Sequence, residues 1–345
     1  MIASGDDKPE WASSRHFMAD GTFELDARDL EFYGEGLRRP ECVLCLGDGS
    51  VITSHGEGGV SVIDARGARR DVLGRRADGR PPVMTNGFAL TKSGDFLLAD
   101  LAGEGGGVWR LSQDGGMRPL LLELDGMALP PTNFVGVDHG ERIWITVSTR
   151  HRPRSLAYRA DIADGFIVLI DQKGPRIVAD GVGYTNEAIV DPSGEWLYVN
   201  ETMARRTSRF PIGDQNSLGR RQTFVEYGAG TYPDGLAFDE DGAFWMTSII
   251  SNRVIRVTPE REQHTVIEEN DPEQLAAVEK SYLAGELGPE HIDKIQSDVM
   301  QSISSIAFGG PDRRTAYLGN LLDSKLYTFA SSVAGFAPSH WNVRL

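Results

Sequence analysis

Two cysteines, no run of about 18 apolar residues and a shortage of positive charge mark this chain of 345 residues, in which 35 Lys and Arg face 50 Asp and Glu for a formal net charge of -15. Each shortage removes a class of protein. Cys42 and Cys45 stand three positions apart, which on an extended strand puts them roughly 10 Å from each other on opposite faces, too far to bridge. A chain without disulfides suits a reducing compartment. The missing apolar run excludes a transmembrane helix, and residues 1–10 show neither the basic nor the apolar region of a secretory leader, so a cytoplasmic location is expected. Excess negative charge disfavours nucleic acid and anionic membranes as partners. A small-molecule substrate remains as the expected partner, with a monomer or small homo-oligomer as the assembly.

What the chain does have is glycine, 40 residues of it, and a repeat. Six segments open on a polar residue followed by an apolar stretch: Glu41-Cys-Val-Leu-Cys-Leu, Asn86-Gly-Phe-Ala-Leu, Asn133-Phe-Val-Gly-Val, Asn186-Glu-Ala-Ile-Val, Asp234-Gly-Leu-Ala-Phe and Ser304-Ser-Ile-Ala-Phe. The openings lie 45, 47, 53, 48 and 70 residues apart. A turn signal follows each, such as Asp48-Gly49, Ser193-Gly194 or Asp241-Gly242, and then a second strand such as Arg142-Ile-Trp-Ile-Thr-Val. Short strands and Gly-rich turns with this period predict an all-β fold, a six-bladed β-propeller. Trp109, Trp144, Trp196 and Trp245 recur in or near the blade strands and are expected in the core, and His139 is expected in a turn.

In a propeller each opening residue begins the innermost strand of its blade, so Glu41, Asn86, Asn133, Asn186, Asp234 and Ser304 should meet at one end of the central channel. Two carboxylates, three amides and a hydroxyl brought together in this way repel and lose solvation unless a cation joins them. The ring therefore predicts a divalent metal site. The Asn86-Gly87 pair has a second reading, as turn chemistry.

Residues 1–20 are polar and read as an arm ahead of a propeller occupying 21–345, and the alternating stretch from Thr22 to Phe32 is expected to add an outer strand to the last blade and close the ring. Two insertions break the period. The first, 149–164, joins the second and third strands of blade 3 and clusters Arg150, Arg152, Arg154 and Arg159, either as a lure for an anionic substrate above the ring or as a solvated loop paired with surface acids. The second, 260–302, is expected to be helical: Asp271 as N-cap before Pro272, with Leu275, Val278 and Tyr282 on one face, then a second helix from Gly288-Pro289 carrying Ile292, Ile295 and Val299. It should lie over the ring as a lid, or pack on the rim as a clip.

These residues resemble the regucalcin (senescence marker protein) and gluconolactonase-like lactonase family, through the stretches running from Tyr184 to Val199, Tyr232 to Trp245 and Ala307 to Leu318. The resemblance implies a metal held by Glu41, Asn186 and Asp234, with Asp234 also acting as the catalytic base and Asn133 contacting substrate. It implies lactone hydrolysis by metal-activated water. Calcium, magnesium, manganese, zinc and ferrous iron all stay open. Asn86, Arg150, His151, Tyr184 and His55 are further candidates for substrate contact, each with a plainer reading as loop polarity or packing, and Tyr232 shares the placement of Tyr184. The chain departs from the sugar lactonases at Pro131-Thr132-Asn133-Phe134-Val135, where an Arg-x-Asn-Asp-Gly pattern is usual. Fewer hydrogen-bonding groups there predict a lactone other than a sugar lactone. A lyase, hydratase or isomerase using the same metal, and a binding propeller without catalysis, are the competing readings.

Overall fold

The computed structural model describes residues 16–17, 23–76, 82–103, 105–294 and 297–345. Six antiparallel sheets follow one another along the chain, each begun by a strand that one of the expected openings precedes or lies in. Blade 1 comprises Val43–Cys45, Val51–His55, Gly59–Ile63 and Arg69–Leu73; blade 3 comprises Phe134–Val137, Ile143–Val147, Gly165–Asp171 and Gly174–Val182. Blade 2 runs from Thr85–Leu90 outward and takes the short strand Arg75–Arg76 along its outer edge in parallel. The inner strands of neighbouring blades pack against one another around the axis.

Burial explains the layering. The second and third strands of blade 1 are buried at every position, while its fourth strand, Arg69–Leu73, buries only Val72 and presents arginines to solvent. Core side chains fill the wedges between blades: Tyr198 of blade 4 meets Phe224, Phe238 and Phe244 with ring centroids 5.2 to 5.7 Å apart, and Trp245 packs on Phe308 and Phe329 between blades 5 and 6. Trp109 and Trp144 are buried as expected and Trp196 is partly buried. A turn device recurs. Asp138 and Asp239 accept from the indole nitrogens of Trp144 and Trp245 at 2.8 and 2.9 Å and also hold a turn backbone amide and an arginine, so one carboxylate ties turn, tryptophan and third-strand or second-strand arginine together.

The ring closes with chain from both sides. Glu31–Tyr33 pairs antiparallel with Leu326–Ala330, supplying the fourth strand of blade 6. The expected arm over residues 1–20 falls almost wholly outside the described residues, as does Ile295.

The second insertion differs from expectation at both ends. Gln263–Glu268 is the outer strand of blade 5, so the irregular stretch starts after it. A helix spans Pro272–Ala284, capped by Asp271, whose carboxylate accepts from the Gln274 amide at 2.7 Å, and ended by Gly285 at φ 71°. The expected second helix is a single 3-10 turn, Pro289–His291. Its continuation is pre-empted: the amides of Asp298, Val299 and Met300 all donate to the Glu269 carboxylate at 3.0, 2.9 and 2.6 Å rather than to carbonyls one turn back. Among the described residues no helix is long and apolar enough to cross a membrane.

Candidate functional site

Glu41, Asn86, Asn133, Asn186, Asp234 and Ser304 all lie at the start of innermost strands on one face, none more than 5% exposed. Asn86 is inside the strand Thr85–Leu90, so Asn86-Gly87 is not a turn. Gly87 serves close approach instead: a Cβ there would fall 2.6 Å from the Phe134 ring and 2.8 Å from the Phe134 Cα. Gly235, after Asp234, is equally constrained, 2.6 Å from both the Ser304 oxygen and the Ser305 Cα. Two positions before Glu41, Asn186 and Ser304 the backbone is left-handed, at Arg39 (φ 54°), Tyr184 (φ 64°) and Ser302 (φ 59°). Non-glycine residues adopt this conformation at a cost of about 1 kcal/mol or more, which the surrounding structure must offset. The kink aims Arg39 and Tyr184 at the mouth.

A chain of hydrogen bonds joins the first three blades. Asn86 Nδ2 donates to Glu41 Oε1 at 2.9 Å and to the Asn133 carbonyl at 3.0 Å, and Arg39 Nη2 donates to Asn86 Oδ1 at 2.8 Å. Ser304 Oγ donates to the Glu41 carbonyl at 2.8 Å, bringing blade 6 into the ring. Asn186 Nδ2 donates to Thr202 Oγ1 at 3.2 Å. Among the described residues, those bonds leave Glu41 Oε2, Asn133 Oδ1 and Asn186 Oδ1 buried without a hydrogen-bond partner. Buried acceptors in that condition each cost on the order of 1–3 kcal/mol.

Electrostatics point the same way. Burial raises the Glu41 carboxyl above the ordinary carboxylate range against the pull of Arg39, Arg154 and the Asn86 bond. Asp234 is raised as well, by burial first and then by the Glu41 charge, with Arg154, Arg39 and Asn186 opposing. A cation among the free oxygens would relieve both. Among the described residues no three His, Cys, Asp or Glu side chains gather as a metal cage; the ring offers two carboxylates and presents its other donors as amide oxygens. That oxygen-only set fits a hard divalent cation.

The other candidates separate. Tyr184 is buried beside the ring, its ring 5.5 Å from that of Tyr158. Arg150 is committed elsewhere, to Asp180 through two bonds of 2.9 Å. His151 Nδ1 lies 3.0 Å from Asp164, and His55 accepts from the Glu57 amide at 3.2 Å. Tyr232 is buried under the helix, its hydroxyl 2.6 Å from Arg205. Of the four clustered arginines it is Arg154, on the 3-10 turn Arg154–Ala157, that turns inward, and Arg39 joins it from blade 1. The sequence signal for Arg39 was its offset, two before Glu41, as Tyr184 is two before Asn186.

The helix Pro272–Ala284 packs on the blade 4 and blade 5 side of this face. Tyr282 Oη donates to the Met203 carbonyl at 2.6 Å, and Glu279 takes two bonds from Arg205, at 2.9 and 2.7 Å. Ile292 and Leu287 join Tyr158, Tyr184 and Ala157 in one apolar cluster, so insertion and blade 3 loop together wall the mouth. A cavity of about 430 Å³ lies at the opposite end of the axis, lined by the far ends of the inner strands, including Cys45, Phe134 and Phe308, with Phe336 and His340 over it. Phe134 therefore faces away from the ring, and Val135 is in the core. Glu187 belongs to this other end too, its carboxylate accepting from the Leu236 amide at 2.8 Å.

Residues 76–272, more than half of the chain, match the family described as SMP-30/Gluconolactonase/LRE-like region. The chain belongs to that family. A 6-deoxy-6-sulfogluconolactonase from Pseudomonas putida is 26% identical over 235 residues, 67% of each chain. Among solved structures, a calcium-binding regucalcin from Agrobacterium tumefaciens matches with a TM-score of 0.64 at 16% identity, over 91% of this chain and 98% of that one. A gluconolactonase from Xanthomonas campestris matches with a TM-score of 0.63 at 16% identity, over 89% and 90%. Likeness at that level is likeness of fold; the SMP-30/gluconolactonase assignment itself makes the chain lactonase-like.

Proposed function

We propose that this protein is a divalent-metal-dependent hydrolase that opens a lactone, and that plain sugar lactones are not its preferred substrates. The observation that carries the reading is the set of three unpartnered buried oxygens, on Glu41, Asn133 and Asn186, next to Asp234 at one end of the axis. Glu41, Asn186 and Asp234 would hold the ion, two carboxylates balancing its charge, and the oxygen-only set ranks calcium, magnesium and manganese ahead of zinc and ferrous iron. When bound, the ion supplies Lewis-acid polarisation of the lactone carbonyl and acidifies water. Asp234, the second carboxylate of the ring, takes the proton of the attacking water. Asn133 orients the lactone through its side-chain amide. The helix Pro272–Ala284 and the Arg154–Ala157 turn keep bulk water from the reacting centre.

Support for lactone chemistry comes from the family and from the Pseudomonas putida relative, whose name specifies a sugar lactone bearing a sulfonate. Support for a less hydroxylated ligand comes from the walls, where Tyr158, Ala157, Leu287 and Ile292 form an apolar cluster around Tyr184. Elemental analysis of native protein and of Asp234→Ala, with hydrolysis of a panel of sugar and alkyl or aryl lactones, tests both parts. About one divalent ion per chain, lost together with activity in the variant, is expected. No ion in the native protein would overturn the metalloenzyme reading, and a clear preference for gluconolactone would overturn the substrate reading.

A further inference from the structure

The mouth holds unsatisfied groups of both signs. Besides the three free oxygens, among the described residues Arg154 Nη1 is buried without a hydrogen-bond partner and Arg154 makes no ion pair, the rest of its guanidinium being held by the Tyr158 hydroxyl. Its neighbours in the cluster are otherwise engaged: Arg150 with Asp180 and Arg159 with Asp161, both through paired bonds. Arg154 instead sits with its guanidinium carbon 5.9 Å from the Tyr184 ring centroid, on the 3-10 turn whose Ala157 and Tyr158 anchor it in the apolar wall. The second guanidinium of the mouth, Arg39, donates to neutral groups, Asn86 Oδ1 at 2.8 Å and the Thr85 carbonyl at 3.5 Å. Both are near enough to Glu41 and Asp234 to feel their charge.

Charge counting then separates two states. Without a metal, the two guanidiniums balance the two ring carboxylates, with the exposed Asp293 also acting on Arg39. With a divalent ion on Glu41 and Asp234, as proposed above, the ring carboxylates are neutralised and the guanidiniums of Arg154 and Arg39 keep only the exposed Asp293 as a nearby countercharge, a positive excess that an anion would offset. Free acceptors call for a cation, and the free donor on Arg154 calls for an anion.

We propose that Arg154, assisted by Arg39, is an anion receptor beside the ring, and that the substrate is a lactone carrying a carboxylate, sulfonate or phosphate substituent. The proposal rests on the metal-dependent lactonase reading and adds the substrate class to it. Arg154 reads the planar or tetrahedral anion through hydrogen bonds from its guanidinium fork, so the lactone ring is delivered to Asp234 in one orientation.

The test compares a neutral γ-lactone with the same ring bearing a carboxylate, a methylene sulfonate or a phosphate ester. The readout is the ratio of kcat/KM for charged over neutral substrate in the native protein, Arg154→Gln and Arg154→Lys. The native ratio is expected to exceed about 10, to fall by about 10- to 100-fold in Arg154→Gln and to be partly restored in Arg154→Lys. Comparison of the three anions tells carboxylate from sulfonate and phosphate recognition. Calorimetric titration of metal-loaded protein with methanesulfonate, acetate and methyl phosphate reads the receptor without turnover. Hydrolysis of neutral lactone with a ratio near 1, unchanged in both variants, would overturn the receptor and leave the lactonase reading standing. If no lactone is hydrolysed, the lactonase reading falls, and calorimetry then decides the receptor: anion binding lost in Arg154→Gln supports it, and equal or no binding in both proteins refutes it.

Discussion

His340 gives the fold a pH dependence whose size follows from its surroundings. The imidazole is buried at the far end of the axis, its Nε2 has no hydrogen-bond partner among the described residues, and burial, helped by nearby His139, pushes its pKa down to about 4 from an ordinary 6.5. The folded protein therefore binds this proton less readily than the unfolded chain does. Stability from His340 is intact above pH 6.5, declines as the pH falls from 6.5 towards 4, and levels off below, with a limiting slope of about 1.4 kcal/mol per unit. At pH 5 the unfolded imidazole is almost fully protonated and the folded one is not, so the loss relative to pH 7 is about 2 kcal/mol. Leucine at this position has a similar volume and nothing to titrate. Urea unfolding of the native protein and His340→Leu at pH 7 and pH 5 isolates the effect, because the carboxylates titrate in both proteins. The difference in unfolding free energy between the two should shift by about 2 kcal/mol in favour of leucine on acidification. A shift under about 0.5 kcal/mol would refute the reasoning, since it would mean that the segment carrying His340 lifts and hydrates the ring at little cost.

Three other outcomes follow from contacts described or evident in the same structure. Glu201 is fully buried and takes two bonds from Arg206, at 2.9 and 2.7 Å, and one from the Gly183 amide at 2.7 Å; Glu201→Gln strips Arg206 of its countercharge and should cost about 3 kcal/mol, seen as a fall in Tm of about 5 °C. Gly235→Ala drives a methyl group into the Ser304 and Ser305 backbone, so it should lose about 1–3 kcal/mol in urea unfolding and, by moving Asp234, most of the lactonase activity. Tyr282→Phe removes the bond to Met203, and should leave global unfolding nearly unchanged while speeding amide exchange in the helix Pro272–Ala284 by about 5-fold, for a loss of about 1 kcal/mol.

The blades were legible because the polar opening, the turn and the second strand recur in register, and short strands with Gly-rich turns separate this period from the helical repeats that share it. Helix Pro272–Ala284 was legible through Asp271, Pro272 and Gly285, local signals that act within one turn. The stretch after Gly288 was not, since helical spacing at Ile292 and Val299 competes with a distant residue, Glu269, that captures the amides of 298–300. At the site, the ring positions could be read from the strand starts. Which arginine of the 149–164 loop faces inward could not: Asp161, two residues from Arg159, is visible locally, but Asp180, which holds Arg150, arrives only when blade 3 has formed. The outward turn of Phe134 follows from strand alternation next to Asn133, so composition around Asn133 describes the opposite cavity as much as the mouth.

Closure of the last blade by Glu31–Tyr33 has a consequence for copies of the chain meeting one another. The strand is three residues long with Glu31 and Phe32 exposed, and it is held both by Leu326–Ala330 and by Ala27 and Leu30, which bury themselves in the core just ahead of it. A chain shortened past Tyr33 would present the Leu326–Ala330 edge unpaired, and the same three-residue segment from an intact molecule has the register to fit it. A segment traded in this way would have to carry Ala27 and Leu30 with it, so the outer strand of blade 6 and part of the core between blades 5 and 6 come and go together.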